Sequence, residues 1–136
     1  MIYVASPFTS DDPVKERERY LLALDFIASR RNSDFYYSPI VHFYHVAREF
    51  NLPSHAGYWR HINYDALSLS KEVIMLCADG YTESLGMKEE FCLAQVLNKP
   101  IHFAIGKSVA PEAEEGKKWM SEIEAHFTTY YEEWSK

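Results

Sequence analysis

The chain has 136 residues, of which 47% are hydrophobic and 15% aromatic, and its formal net charge at pH 7 is −6. This composition excludes a largely disordered chain and predicts one globular domain over residues 1–136. The acidic balance argues against a nucleic-acid partner, which needs clustered Lys and Arg. There is neither a signal-peptide pattern nor a membrane span of about 20 apolar residues, so we expect a cytoplasmic protein without a membrane partner.

The first half of the chain predicts two strands, each followed by a helix. The run "MIYVA" is apolar and ends at the turn "SPF", as a buried strand does. Pro13 then opens an amphipathic helix, whose core face we expect to hold Leu21, Leu24 and Ala28. A second strand, "FYYSP", stops at Pro39, and "IVHFYHVAREF" follows it as a short helix.

The second half continues the alternation. A helix is expected from about Ala56 to Ser70, with Ile62, Ala66 and Leu69 facing the core, and it leads into the strand "EVIMLC". The loop "ADGYTES", the helix "LGMKEEFCLAQVLN" and the strand "KPIHFAI" follow. The last segment predicts a helix with a large apolar stripe, which suggests a homodimer or larger homo-oligomer. The stripe consists of Ile123, Phe127, Tyr130 and Trp134.

Strands that alternate with helices pair in parallel through right-handed crossovers. The expected fold is therefore α/β, a three-layer sandwich with a parallel sheet of about four to five strands between helices. In such sheets ligands bind outside the carboxyl ends of the strands. The loops at those ends are "ASPFTSDD", "SPIVHF" and "CADGYTES", so the cleft is expected among them.

Two adjacent carboxylates stand on the helix "LGMKEEFCLAQVLN", and a helical wheel separates them. At about 100° per residue Glu90 lies inside the apolar arc, whereas Glu89 lies outside it. A carboxylate on a buried stripe is costly unless it is paired or used, so a structural ion pair or a side chain that reaches water competes with a catalytic role. Asp65, on the border of the preceding helix's core face, is a surface aspartate or a second acid at the cleft.

Histidines and aromatic residues near the loops have structural explanations beside functional ones. His42 and His45 are spaced to share a helix face, but no third ligand accompanies them, so no metal is expected. His42 is expected to pack beside the cleft instead. Trp59 either packs between helices or stacks on a base. No dinucleotide fingerprint follows a strand, and no cofactor is expected.

Three segments, "IYVASPF", "YWRHINYDAL" and "YTESLGMKEE", followed by "NKPI", resemble the nucleoside 2-deoxyribosyltransferase superfamily in their order and spacing. That superfamily includes 2′-deoxynucleoside 5′-monophosphate N-glycosidases and poorly characterised phage and bacterial proteins. The resemblance runs from Met1 to about Phe103. It implies a flavodoxin-like fold, oligomers with sites near subunit contacts, and cleavage or transfer at the N-glycosidic bond of a nucleoside or nucleotide.

The resemblance also implies a role for each matching residue. Glu90, nine residues before Lys99, matches the nucleophile that forms a covalent glycosyl ester. Asp65 matches the aspartate that assists the leaving base. The expected substrate-binding residues are those that match the first-strand and 5′-end loops, together with the histidine and tryptophan considered above. They are Tyr3, Ser6, Pro7, Phe8, His42, Trp59, Ser84 and Gly86.

Ser84 bears on the 5′ end of the substrate. The transferases that use free nucleosides place an aspartate there, whereas Ser84 is neutral and stands where a helix N-terminus favours an anion. This favours a 5′-monophosphate. Against it, the first-strand loop carries Asp11 and Asp12 and no arginine, and Lys88 is the nearest basic residue. The second hypothesis is a non-catalytic protein that binds or sequesters a nucleotide signal in the same cleft, because fold does not fix function.

Overall fold

The computed structural model of the chain describes residues 1–30, 34–53, 56–105 and 108–110. Strands and helices alternate along these ranges except for one pair of consecutive helices and one pair of consecutive strands, and a short 3₁₀ turn, Tyr81–Glu83, precedes the last helix of the described residues. The elements are β1 (Ile2–Ala5), α1 (Pro13–Arg30), β2 (Tyr36–Tyr37), α2 (Pro39–Glu49), α3 (Ala56–Leu69), β3 (Glu72–Leu76), α4 (Leu85–Val96), β4 (Ile101–Ile105) and β5 (Ser108–Ala110).

The strands form one sheet in the order β2-β1-β3-β4-β5. The first four pair in parallel, with Tyr3 opposite Tyr37 and Val73 in the register. This order and the flanking helices confirm the flavodoxin-like α/β fold expected from the sequence. The sequence did not predict β5, which pairs antiparallel with β4 and has only three residues.

Alternate strand residues build two core clusters on the two faces of the sheet. On one face Tyr3, Met75 and Phe103 pack with residues of α3 and α4. On the other face Val4 and Ile74 belong to a cluster that includes residues of α1. Strands that are buried on both faces have continuous apolar sequences. The runs "IYVA" and "EVIML" therefore indicate strands although apolar and polar residues do not alternate in them.

Serine caps fix where two of the helices begin. The Ser38 hydroxyl accepts a hydrogen bond from the Val41 amide at 3.2 Å, and Pro39 occupies the first turn of α2. The Ser84 hydroxyl likewise accepts from the Met87 amide at 3.2 Å. The second cap sets the position of α4 relative to the loop after β3, and therefore the position of Glu90.

The predicted core faces of two helices are wrong. On α1 the buried side chains are Tyr20, Ala23 and Phe26, whereas the leucines and the alanine chosen from the sequence are exposed. On α3 Ile62 and Leu69 are exposed, while Leu67 is buried. Each of these helices carries apolar residues on more than one face, so a wheel does not single out the face that the sheet covers.

Two further expectations from the sequence concern self-association and membrane crossing. The apolar stripe expected on the last helix lies outside the described residues, so the self-association inferred from it stays a prediction. None of the helices in the described ranges combines the length and the apolar character that crossing a membrane requires.

Candidate active site

A cavity of about 930 Å³ opens at the carboxyl ends of β1 and β3, where parallel α/β folds bind ligands. Residues of the β1–α1 loop, of helices α1 to α4 and of the β3–α4 loop line it. This volume suits a small molecule. A second cavity of about 800 Å³ lies between α1 and α2, lined by residues such as Arg17 and His45, and Glu90 is not part of its wall.

Glu90 enters the cavity wall from the second turn of α4. The residue is only 7% exposed, and this burial raises the pKa of its carboxyl to about 8. The interaction with Tyr3 lowers the pKa, and the neighbouring charge of Glu89 raises it. No cation of the described residues is among these main causes. At pH 7 about a tenth of the molecules would therefore carry an ionised Glu90.

Tyr3 on β1 and Tyr37 on β2 are the tyrosines that interact with Glu90. Tyr3 is fully buried, and its pKa is raised well above its usual value by burial first and by Glu90 second. Its hydroxyl forms no hydrogen bond of ordinary geometry with the described residues. The Tyr3 hydroxyl and the Glu90 carboxyl are therefore close enough to interact, but their geometry is not that of a regular hydrogen bond. The Tyr37 ring lies 5.7 Å from the Tyr3 ring, and burial and Glu90 raise its pKa to about 12. Both tyrosines therefore keep their protons at neutral pH and can act as hydrogen-bond donors.

Glu89 is buried as well, which corrects the expectation that it lies outside the apolar arc. It is 1% exposed, and Nη2 of Arg60 donates a hydrogen bond to its Oε1 at 2.7 Å. The wheel misplaced Glu89 because α4 packs against α3 as well as against the sheet and therefore has two buried flanks. Glu89 pairs with a cation of α3, and Glu90 lines the cavity.

Basic side chains line the cavity, against the expectation of a site poor in cations. They come from α1, α2 and α3, whereas Lys88, expected to be the nearest one, is not part of the wall. Three acids line the cavity too, so the wall is of mixed charge rather than uniformly positive. The basic residues are Lys15, Arg19, Arg48 and Arg60, and the acids are Glu16, Glu83 and Glu90.

Arg19 is the basic residue most firmly held at the cavity. Its Nη1 donates to the carbonyl of Phe8 at 3.1 Å and to that of Thr9 at 2.9 Å. Its Nη2 occupies the space that a side chain at residue 80 would need, and Gly80, whose φ is 87°, also requires glycine for its left-handed backbone. The Nε of Arg19 is buried and has no hydrogen-bond partner among the described residues. Arg19 thus connects the loops after β1 and β3 and offers a further donor.

Aromatic residues of α2 and α3 supply an apolar wall. The rings of Phe43 and Trp59 are stacked, with centroids 5.2 Å apart and planes at 25°. Trp59 also donates from Nε1 to the carbonyl of Pro53 at 2.8 Å. Both residues line the cavity, so Trp59 packs between helices and offers a surface for a ligand at the same time. The two alternatives left open by the sequence are compatible.

Polar atoms without partners concentrate near the same cavity. Oγ of Ser6 and Oδ1 of Asn63 are buried, and neither has a hydrogen-bond partner among the described residues. Both residues line the cavity. Buried polar groups are ordinarily hydrogen-bonded, so unpaired ones in a cavity wall indicate a place for a polar ligand.

The structure brings most of the residues expected at the substrate site to this cavity. Tyr3 is the buried neighbour of Glu90 already described, and Pro7 is buried outside the wall. Those that line the cavity are Ser6, Phe8, Trp59, Ser84, Gly86 and Glu90.

His42 and Asp65 are not among the residues that line the cavity, which corrects their expected placement. His42 is exposed; its Nδ1 lies 2.8 Å from the Ser38 carbonyl, and its ring stacks on Tyr37. Asp65 is exposed on α3. The reason is the error in the face of α3: the face containing Ile62 and Leu69 points to solvent, and Asp65 borders that face.

The sequence reasoning missed Arg19, Arg60 and Asn63. The inward residues of α3 are Arg60, Asn63 and Leu67, and Ser70 follows directly after the helix; their 3-4-3 spacing is the periodicity of one helix face. The sequence contains this periodicity, but the half of the face beside the cavity is polar. The more apolar face with Ile62 and Leu69 was therefore predicted to be the buried one. Arg19 left no comparable signal, because its reach to the loop depends on the tertiary fold.

Within the described ranges, no group of three His, Cys, Asp or Glu residues is arranged to hold a metal ion. The two histidines considered as ligands have separate partners, since Nε2 of His45 lies 3.1 Å from the Tyr20 hydroxyl. Comparison of the chain with protein-family models, with curated proteins and with solved structures finds no match.

Proposed function

We propose that the chain binds a nucleoside or nucleoside 5′-monophosphate in the cavity and cleaves or transfers its N-glycosidic bond. The observation that carries the proposal is Glu90: a buried carboxyl on the cavity wall, next to a tyrosine rather than a cation. A fold gains nothing from such a group, because burying it costs stability. Glu90 is also the residue that the resemblance to the deoxyribosyltransferase superfamily assigns to the nucleophile.

In this mechanism the ionised Glu90 attacks C1′ of the sugar. The C1′–N bond breaks, the base leaves with the bonding electron pair and takes up a proton, and a glycosyl ester forms on Glu90. Water, or a second base, then attacks C1′ and regenerates the carboxylate, while the proton of the attacking group passes to solvent. The positive charge that develops at C1′ favours the ionised carboxylate, which offsets the burial that raises its pKa.

Asn63 is the polar residue of α3 best situated to contact the leaving base. It lines the cavity with a buried amide oxygen that has no partner among the described residues, whereas Asp65 is exposed. The leaving-group role that the resemblance implies for Asp65 stays a prediction. We expect Asn63→Ala to slow base release about tenfold and more for poor leaving bases than for activated ones. Asp65→Ala is the matched comparison, and an effect larger than that of Asn63→Ala would favour Asp65.

A 5′-monophosphate is favoured over a free nucleoside by two features. The N-terminus of α4, capped by Ser84, presents backbone amides at the cavity, and such termini stabilise anions. Arg19 adds a guanidinium whose Nε is without a partner among the described residues. We expect kcat/KM to be higher for the monophosphate, and Ser84→Asp to reverse this order by repulsion. A wild type that prefers the free nucleoside would contradict the assignment.

A binding protein without turnover is the second candidate. The same observation supports it, because a carboxyl with a pKa of about 8 is mostly neutral at pH 7 and donates a hydrogen bond as a static group would. Turnover separates the two candidates. A non-catalytic protein would bind a nucleotide, seen by calorimetry, and release no base.

The test is chromatography of free base released from a panel of nucleosides and 5′-monophosphates. Wild type is expected to release base from at least one of them, and Glu90→Gln to lose at least about a thousandfold in rate. Glu83→Gln is the matched control, since Glu83 lines the same cavity but is exposed. Equal rates for wild type and Glu90→Gln would refute the role of Glu90.

A further inference from the structure

The ion pair between Arg60 and Glu89 lies directly beside the candidate nucleophile. Arg60 lines the cavity from α3, and its side chain is 24% exposed. Its Nη2 reaches Oε1 of Glu89 at 2.7 Å, although Glu89 itself is 1% exposed. The Nε of Arg60 is buried without a hydrogen-bond partner among the described residues. A cation from the cavity wall therefore neutralises a carboxylate that is adjacent in sequence to Glu90.

Several ionisable groups surround Glu90. Tyr3 faces Glu90 from β1, Tyr37 faces it from β2, and Glu89 is its neighbour on α4. The other charged residues of the cavity wall are Lys15, Glu16, Arg19, Arg48 and Glu83. Burial is the main cause of the raised pKa of Glu90, and the charge of Glu89 adds to it. Glu89 acts on Cys92 in the same direction.

We propose that Arg60 is a positioning residue that acts on Glu90 through Glu89. Its guanidinium holds Glu89 ionised and fixed between α3 and α4, so that only one of the two adjacent carboxyls takes up and releases a proton near neutral pH. Without Arg60, two buried carboxyls on adjacent residues of α4 would both lack a cation and would titrate as a coupled pair. The inference deepens the proposed function and rests on it for the catalytic role of Glu90.

The experiment is a ¹³C NMR titration of the glutamate side-chain carboxyls, with the Glu90 resonance assigned by its loss in Glu90→Gln. Glu89→Gln keeps the shape and removes the charge, so the pKa of Glu90 is expected to fall. Arg60→Gln removes the cation, and the higher apparent pKa of the pair is expected to exceed that of wild-type Glu90 by about 1. Arg60→Lys keeps the charge and should stay near wild type.

The double variant Arg60→Gln/Glu89→Gln decides whether Arg60 acts through Glu89. If it does, Arg60→Gln changes the pKa of Glu90 only when Glu89 is present. The same increase in both backgrounds would mean direct action and overturn the proposal. If Arg60→Gln does not fold, Glu89→Gln carries the test, and an unchanged Glu90 pKa in that variant overturns the proposal. Because the titration needs no substrate, its outcome is separate from that of the base-release assay.

Discussion

Helix α4 buries one carboxylate on each of its two flanks, and the two carboxylates have different surroundings. On the flank against α3, Glu89 is paired with Arg60 at 2.7 Å. On the flank against β1 and the cavity, Glu90 meets Tyr3 and takes a pKa of about 8. Burial is nearly equal, so burial alone does not identify a functional acid. Glu90 differs from Glu89 because it has no cation partner among the described residues and because it lines the cavity.

The largest change in stability is expected on the paired flank. Glu89→Ala leaves the Arg60 guanidinium without its partner at the α3–α4 interface, and the free energy of unfolding should fall by about 3 kcal/mol. Urea denaturation measures the change, with exposed Glu83→Ala as the control. A loss below about 1 kcal/mol would mean that the pair behaves like a surface salt bridge.

On the cavity flank, removing the carboxylate of Glu90 is expected to raise the free energy of unfolding rather than lower it. Because the pKa of Glu90 is about 8 in the folded protein and 4.5 ordinarily, the unfolded chain ionises first as pH rises. Wild type therefore loses stability between these values, and the loss is complete above about 8. Glu90→Gln cannot ionise, so it should be more stable than wild type by up to about 3 kcal/mol at pH 7.

The control for that prediction is pH itself. At pH 4 both states of wild type hold the proton on Glu90, so wild type and Glu90→Gln should have similar free energies of unfolding. A Glu90→Gln variant less stable than wild type at pH 7 would show that the Glu90 carboxylate is stabilised in the fold, contrary to the comparison of the two flanks.

The pH dependence of base release would distinguish a nucleophilic Glu90 from one that donates a proton. A nucleophile must be ionised, so kcat/KM should rise about tenfold per pH unit and level off above about 8. A general acid must hold its proton, which predicts the reverse. The measurement is the initial rate of base release at low substrate concentration between pH 5 and pH 9. A profile that falls through pH 8 would assign Glu90 to proton donation.

The sequence predicted some elements of this structure better than others, and the difference lies in how many faces of each element are buried. The strands "IYVA" and "EVIML" were evident, because continuous apolar runs need no choice of face. Glu90 was placed correctly, since it lies within the apolar arc of α4. Glu89 and Asp65 were misplaced, because α4 has two buried flanks and α3 turns its more apolar face to solvent.

The place of Arg19 in the cavity wall could not be predicted from sequence spacing. Arg19 belongs to α1, ten and eleven residues beyond the carbonyls that it contacts on Thr9 and Phe8. Only the packing of α1 beside the loops after β1 and β3 brings it to the site. Loop-by-loop counting of charges therefore underestimated the support for an anionic ligand.

The most direct test of the central claim is mass spectrometry of the protein quenched during turnover of a substrate found in the base-release panel. The account predicts a mass increase of one glycosyl unit, or one glycosyl phosphate, localised by peptide mapping to Glu90 and absent from Glu90→Gln. Base release with the adduct on another residue, or with full activity in Glu90→Gln, would contradict it.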